Sequence, residues 1–177
     1  TLGGIVGLRS VALNGEGPTT ITGLKSPHLN LDLKGHTSLD LKGQANIGRL
    51  MVHDHARVQL YWANSKKLFI RGYDHANIQL AGLAQEMNLR LCDMAHFNGR
   101  YLRASRAWVK THDQSVAEIV ADDRQHALAY DNSDIYYYYL PDMGTDFLAF
   151  NGAVLDMRDL GLPYIQQYDK FNKYLQI

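Results

Sequence analysis

One cysteine, four prolines and no net charge leave a good deal out of this 177-residue chain. Cys92 on its own cannot build an internal disulfide framework. Eighteen basic residues cancel eighteen acidic ones, so the overall charge carries no footprint for nucleic acid or an anionic membrane. No apolar run approaches the roughly 18–20 residues that cross a bilayer. Charged residues make up 20% and hydrophobic ones 46%, which excludes disorder and describes one domain able to bury a continuous core. Tyrosine and glycine are plentiful, at 11 and 15, and favour β-structure with many tight corners. The chain opens at Thr1 without an initiator methionine, which suggests processing or trimming and leaves room for a signal peptide or lipid anchor upstream.

A repeat organises the chain. The strings GHTSLDL, DHARVQL, DHANIQL, DMAHFNG, DQSVAEI and DNSDIYY share one pattern. A Gly or Asp corner is followed two residues later by a small residue, then by apolar residues at the fourth and sixth positions. The corners are Gly15, Gly35, Asp54, Asp74, Asp93, Asp113, Asp131 and Asn151, spaced 18–20 residues apart. Two after the corner stand Gly17, Thr37, Ala56, Ala76, Ala95, Ser115, Ser133 and Ala153. Four after it come Thr19, Leu39, Val58, Ile78, Phe97, Ala117, Ile135 and Leu155; four before it come Val11, Leu31, Leu50, Ile70, Leu89, Val109, Ala127 and Phe147.

Alternation within each coil predicts strands with one buried face, and repeated columns predict that each strand stacks on its counterpart at about 4.8 Å. The expected fold is therefore all-β, a single-stranded right-handed parallel β-helix of about eight coils over residues 1–157. A leucine-rich repeat would need an Asn/Cys ladder, which is absent, and a sandwich would need two-residue Asn-Gly or Asp-Gly turns recurring between its strands, whereas the Asn-Gly pairs at 14–15, 98–99 and 151–152 keep no fixed place in the repeat. The period stops after Met157. In residues 158–177 Tyr164, Tyr168, Phe171 and Leu175 recur at helical spacing behind Pro163, predicting a short aromatic helical tail. Such a tail either caps the last coil, whose open edge needs cover, or docks on a partner.

The stretches LKGHTSLDLKGQAN and IRGYDHANIQLAGLA, within roughly Val11 to Met157, resemble the auto-transporter adhesin head GIN domain family of bacterial envelope proteins. The resemblance implies a right-handed parallel β-helix, an exported location and a structural or adhesive role. It supplies no catalytic residues. The chain departs from the family in using Asp where family corners are richer in Gly and Ser, and in its aromatic tail.

Two ladders raise the question of metals. His36, His55 and His75 share the column after the corner, but a ladder points its rings in parallel, whereas zinc needs converging ligands. Asp54, Asp74, Asp93, Asp113 and Asp131 stack like charges, so each carboxylate is solvated, bonded to its own turn as an Asx turn, or bridged by calcium. The Asx turn is the expectation, and no cofactor or metal site is assigned. Some parallel β-helices cleave polysaccharides, but the acids here are isolated and Asp122 and Asp123 point apart, so no catalytic residues are assigned. Alternation over Tyr136–Tyr139 sends Tyr137 and Tyr139 inward and Tyr136 and Tyr138 outward, where tyrosine favours interfaces. Trp62 and Trp108 read as packing residues.

These readings converge on a non-enzymatic scaffold of the periplasm, outer membrane or cell surface, a subunit of a secretion-type assembly meeting other envelope proteins. Tyr136, Tyr138, Tyr164, Tyr168, Phe171 and Leu175 are its candidate partner contacts. The alternatives are an adhesin-like head for glycan or host protein, and a polysaccharide lyase or hydrolase. Nucleic acid and a membrane-spanning role are not expected.

Overall fold

Asp54, Asp74, Asp93, Asp113, Asp131 and Asn151 hold φ between 58° and 63°, and Gly35 holds 77°. Left-handed backbone is costly for most L-residues and mildest for Gly, Asn and Asp, which explains the corner alphabet. At each Asp corner a four-residue turn closes around the strained residue. Ala56 N–H donates to the His53 carbonyl at 3.1 Å, and Ala76, Ala95, Ser115 and Ser133 repeat the bond at 3.1–3.3 Å.

Between corners the chain runs extended. The computed structural model describes residues 2–3, 7–139 and 144–157. They form β1 (Leu2–Gly3), β2 (Ser10–Val52), β3 (Arg57–Gly72), β4 (Asn77–Leu91), β5 (His96–Thr111), β6 (Val116–Tyr130), β7 (Asp134–Tyr137), β8 (Thr145–Phe150) and β9 (Ala153–Asp156). Each strand pairs in parallel with its counterpart one coil on. The result is an all-β parallel solenoid of about six turns, with no helix among the described residues. The long strands bend within each coil, where the register shifts, as between Leu60 and Ala63 and between Gln79 and Ala81. Gly82 sits at that bend with φ 128°, and a Cβ there would run into the backbone of Ala63.

The columns stack as the repeat predicts through the middle of the rod. Leu39, Val58, Ile78, Phe97, Ala117 and Ile135 are in register, as are Leu50, Ile70, Leu89, Val109, Ala127 and Phe147. Ala56, Ala76, Ala95, Ser115 and Ser133 are at most 1% exposed. The two serines return their hydroxyls to the turn, each donating to the carbonyl three residues back at 2.7 Å. Phe97 is the largest fully buried side chain among the described residues, and Gly99 beside it leaves room, since a Cβ at 99 would meet the Phe97 ring.

Three expectations change. About six turns are described rather than eight, with Gly17 and Leu155 exposed at the two ends. The last turn is one residue tighter than the repeat predicts. Ala153 pairs with Asp134 and Val154 with Ile135, so Gly152, not Ala153, follows the small column. Tyr139 is exposed, not inward; β7 ends at Tyr137, and alternation has no hold beyond the strand. The predicted helical tail at 158–177 lies outside the described residues.

Candidate interaction surfaces

The corner edge carries a carboxylate ladder with a purpose of its own. From Asp54 to Asp113 the N–H after the corner goes to the backbone of the preceding coil, as His75 N–H donates to the Asp54 carbonyl at 2.8 Å. That pattern passes over the corner's own N–H. The next coil's carboxylate accepts it: Gly35 N–H donates to Asp54 Oδ2 at 2.8 Å, and Asp54, Asp74 and Asp93 repeat the bond to Asp74, Asp93 and Asp113 at 3.1–3.2 Å. Asp113 N–H reaches Asp131 Oδ2 at 3.4 Å. The expectation of a bond within the same turn is thus corrected to a bond between coils. Each carboxylate meets the positive end of a peptide dipole, which offsets the repulsion along the ladder.

Rings flank this ladder on both sides. His36, His55 and His75 stack at 4.7 and 4.6 Å with planes 16° and 5° apart, parallel rather than converging. One residue before the corner, His53 stacks on Tyr73 at 4.8 Å, and His112, Tyr130 and Phe150 stack at 4.8 and 5.0 Å. No group of three or more His, Cys, Asp or Glu among the described residues is placed to hold a metal ion.

The strand after the corner presents the tyrosines. Tyr136 and Tyr138 face outward, half-buried. Tyr136 Oη donates to Asp134 Oδ2 at 3.2 Å, and the Arg100 guanidinium lies 4.8 Å from the Tyr138 ring centroid. Arg100 also pairs with the buried Glu118 at 2.6 Å. Burial pushes the hydroxyls of both tyrosines above the ordinary tyrosine range. The Asp134 charge adds to this at Tyr136, and the Glu118 charge adds to it at Tyr138 while Arg100 opposes. The two tyrosines therefore share one small polar cluster. Tyr164, Tyr168, Phe171 and Leu175 lie outside the described residues. Asp122 pairs with Arg103 at 3.2 Å, and Asp123 is exposed.

The strand before the corner holds a surface that the repeat columns conceal, because they were read for their apolar members. Its outward positions form three columns. Arg71, Arg90 and Lys110 are in register in one; Arg49, Phe69, Asn88, Trp108 and His126 in the next; Lys67, Glu86, Arg106 and Arg124 in the third. Phe69 is 44% exposed and Trp108 is half-buried. Glu86 takes both Lys67, at 3.3 Å, and Arg106, at 2.8 Å. Shallow recesses of about 190 and 390 Å³ border Phe69. Reading every third, fifth and seventh residue before the corner would have exposed the charge.

Among curated proteins none matches this sequence. A family model does, over residues 5–141, well over half the chain. The corner chemistry, the stacked small column and the parallel pairing all lie mainly within that span. The chain belongs to the family described as "Putative auto-transporter adhesin, head GIN domain".

Proposed function

We propose that this domain is a non-enzymatic interaction module of the bacterial cell envelope, an exported adhesin-like head that meets glycan or host protein on its outer faces. The observation that carries this is a filled rod in a family of adhesin heads. Leu41, Leu60, Phe97 and Ile119 are at most 1% exposed, so the interior is core and recognition falls to the flat outside. In this reading the rod winds right-handed, as parallel crossovers do, and its eight corners count eight coils with partial ends. The test is binding of the purified domain to a glycan array and to immobilised extracellular matrix proteins. Saturable binding that leaves the ligand intact is expected. Release of new reducing or unsaturated sugar ends would overturn the reading in favour of a lyase or hydrolase.

A second reading, a scaffold subunit of an outer-membrane-associated secretion-type assembly, is favoured by the C-terminal turn. Leu148 and Phe150 are each 52% exposed on β8 and Leu155 is 39% exposed on β9, and exposed apolar surface marks contact sites. Tyr136, Tyr138, Tyr164, Tyr168, Phe171 and Leu175 then face neighbouring envelope proteins. Deleting residues 163–177 should release the domain from its membrane complex while leaving it folded. A truncated domain that stays in the complex with unchanged thermal stability sinks this reading.

A further inference from the structure

The face before the corner gathers charge of one sign. Its three columns hold Arg49, Lys67, Arg71, Arg90, Arg106, Lys110 and Arg124 against Glu86, with Asp146 following His126 at the C-terminal edge and Asp32 two coils before Arg71 at the N-terminal one. The whole chain is neutral, so this is segregation, not excess. Arg71, Arg90 and Lys110 stack directly on three successive coils, between Met51 and Leu128, with no acid between them. Like charges in register are unfavourable. Arg71 turns one nitrogen to Asn88 Oδ1 at 2.9 Å, and Lys110 lies 4.8 Å from the Tyr130 ring centroid. Neither contact removes charge.

Beside this column, Phe69 and Trp108 stand two coils apart, roughly 9–10 Å by the interstrand spacing, with Asn88 between them. Rings offer a flat surface to the C–H faces of a sugar, and the adjoining guanidinium forks suit carboxylate or sulfate groups. Charge repeats at every coil, about 4.8 Å apart, which suits a polymer bearing acid at regular intervals.

We infer that this face binds an acidic polysaccharide, its rings on Phe69 and Trp108 and its acid groups along Arg71, Arg90 and Lys110. The inference deepens the binding-head reading and rests on it, since an exported head meets such polymers. Single-stranded DNA is also a polyanion with stacking faces, so it serves as the competing outcome.

Two probes supply the acid, polygalacturonate and chondroitin sulfate; dextran is the neutral control, and a thymidine oligonucleotide the nucleic-acid control. Calorimetric binding to at least one acidic polysaccharide is expected, weakening as salt rises, with no binding to dextran. The discriminating variant is Arg90→Glu. It places an acid between Arg71 and Lys110, so the melting temperature should hold or rise while affinity falls about tenfold or more. Phe69→Ala, at an exposed position, should lower affinity without lowering the melting temperature by more than a degree or two. Unchanged affinity in Arg90→Glu, failure to bind either acidic polymer, or tighter binding of the oligonucleotide would each overturn the inference. If Arg90→Glu still binds a glycan array like the wild type, the face is wrong and the binding-head reading stands.

Discussion

The middle of the rod and its C-terminal turn come from one repeat but differ in how a corner's N–H is satisfied. From Gly35 to Asp113 the next coil's carboxylate takes it. At Asp131 the N–H goes instead to the Phe150 carbonyl at 2.8 Å, and the following corner is Asn151. That turn is one residue tighter, and its strand pairs one position early. Its outward positions carry large apolar side chains, Leu148, Phe150 and Leu155, that lie in the open. The small column fixes how a coil closes and the carboxylate ties it to the coil before; where both change, register changes with them.

The largest contrast should come from the core. Phe97→Ala removes a fully buried ring that also fills the space over Gly99, and should cost about 3–5 kcal/mol. Leu148→Ala in the last turn should stay within about 0.5 kcal/mol. Denaturant unfolding reads both, and equal losses would erase the distinction between closed coil and open end.

Register gives the next test. Ala76 is 1% exposed in the small column, so Ala76→Leu should overpack it by about 1–3 kcal/mol. Ala153 has slipped into register with outward Asp134, so Ala153→Leu should be tolerated within about 0.5 kcal/mol. Were the untightened repeat correct, Ala153→Leu would cost as much as Ala76→Leu.

The carboxylate ladder predicts a smaller, graded effect. Asp74→Ala loses both the acceptor for Asp54 N–H and a residue type that tolerates φ 58°, and should cost about 1–2 kcal/mol. Asp74→Asn keeps an acceptor and the backbone tolerance and should cost under about 0.5 kcal/mol. Asn151→Asp should add no stability, because Asp131 N–H already has the Phe150 carbonyl. Thermal melts rank the three; a gain at Asn151→Asp would show that the carboxylate is interchangeable between the two regions.

Much of this was legible in the sequence, for a physical reason. Corner, small column and apolar columns each answer a constraint that every coil meets alike, so eight noisy copies spell one rule. Tyr139 and Ala153 were misread where the rule loses its grip, past the end of β7 and in the tightened last turn. The direction of the carboxylate bonds was hidden because stacking distance alone does not say whether a side chain serves its own turn or its neighbour's. The cationic face was hidden differently: Arg71, Arg90 and Lys110 sit 19 and 20 residues apart, and their charge becomes a surface only once the coils are laid in register.

The smallest expected effect lies at the boundary of the two regions, where Tyr136 projects from β7 and Tyr138 follows just past its end. Burial raises both hydroxyls above the usual tyrosine range, helped by Asp134 and Glu118 and opposed at Tyr138 by Arg100. A raised value in the folded state means that folding favours the protonated hydroxyl. The stabilisation is therefore complete below pH ~10, the unfolded tyrosine value, and is lost as pH rises from there through the folded values. Lysines titrate in the same range, so the signal is the difference between the wild type and the Tyr136→Phe/Tyr138→Phe double variant. Between pH 8 and 11 the wild-type melting temperature should fall more steeply than that of the variant, which has no hydroxyl to ionise at either position. Parallel curves would mean that these tyrosines are as hydrated at the rod's edge as in the unfolded chain, and that the Arg100–Glu118 cluster does not seal the last Asp-cornered coil.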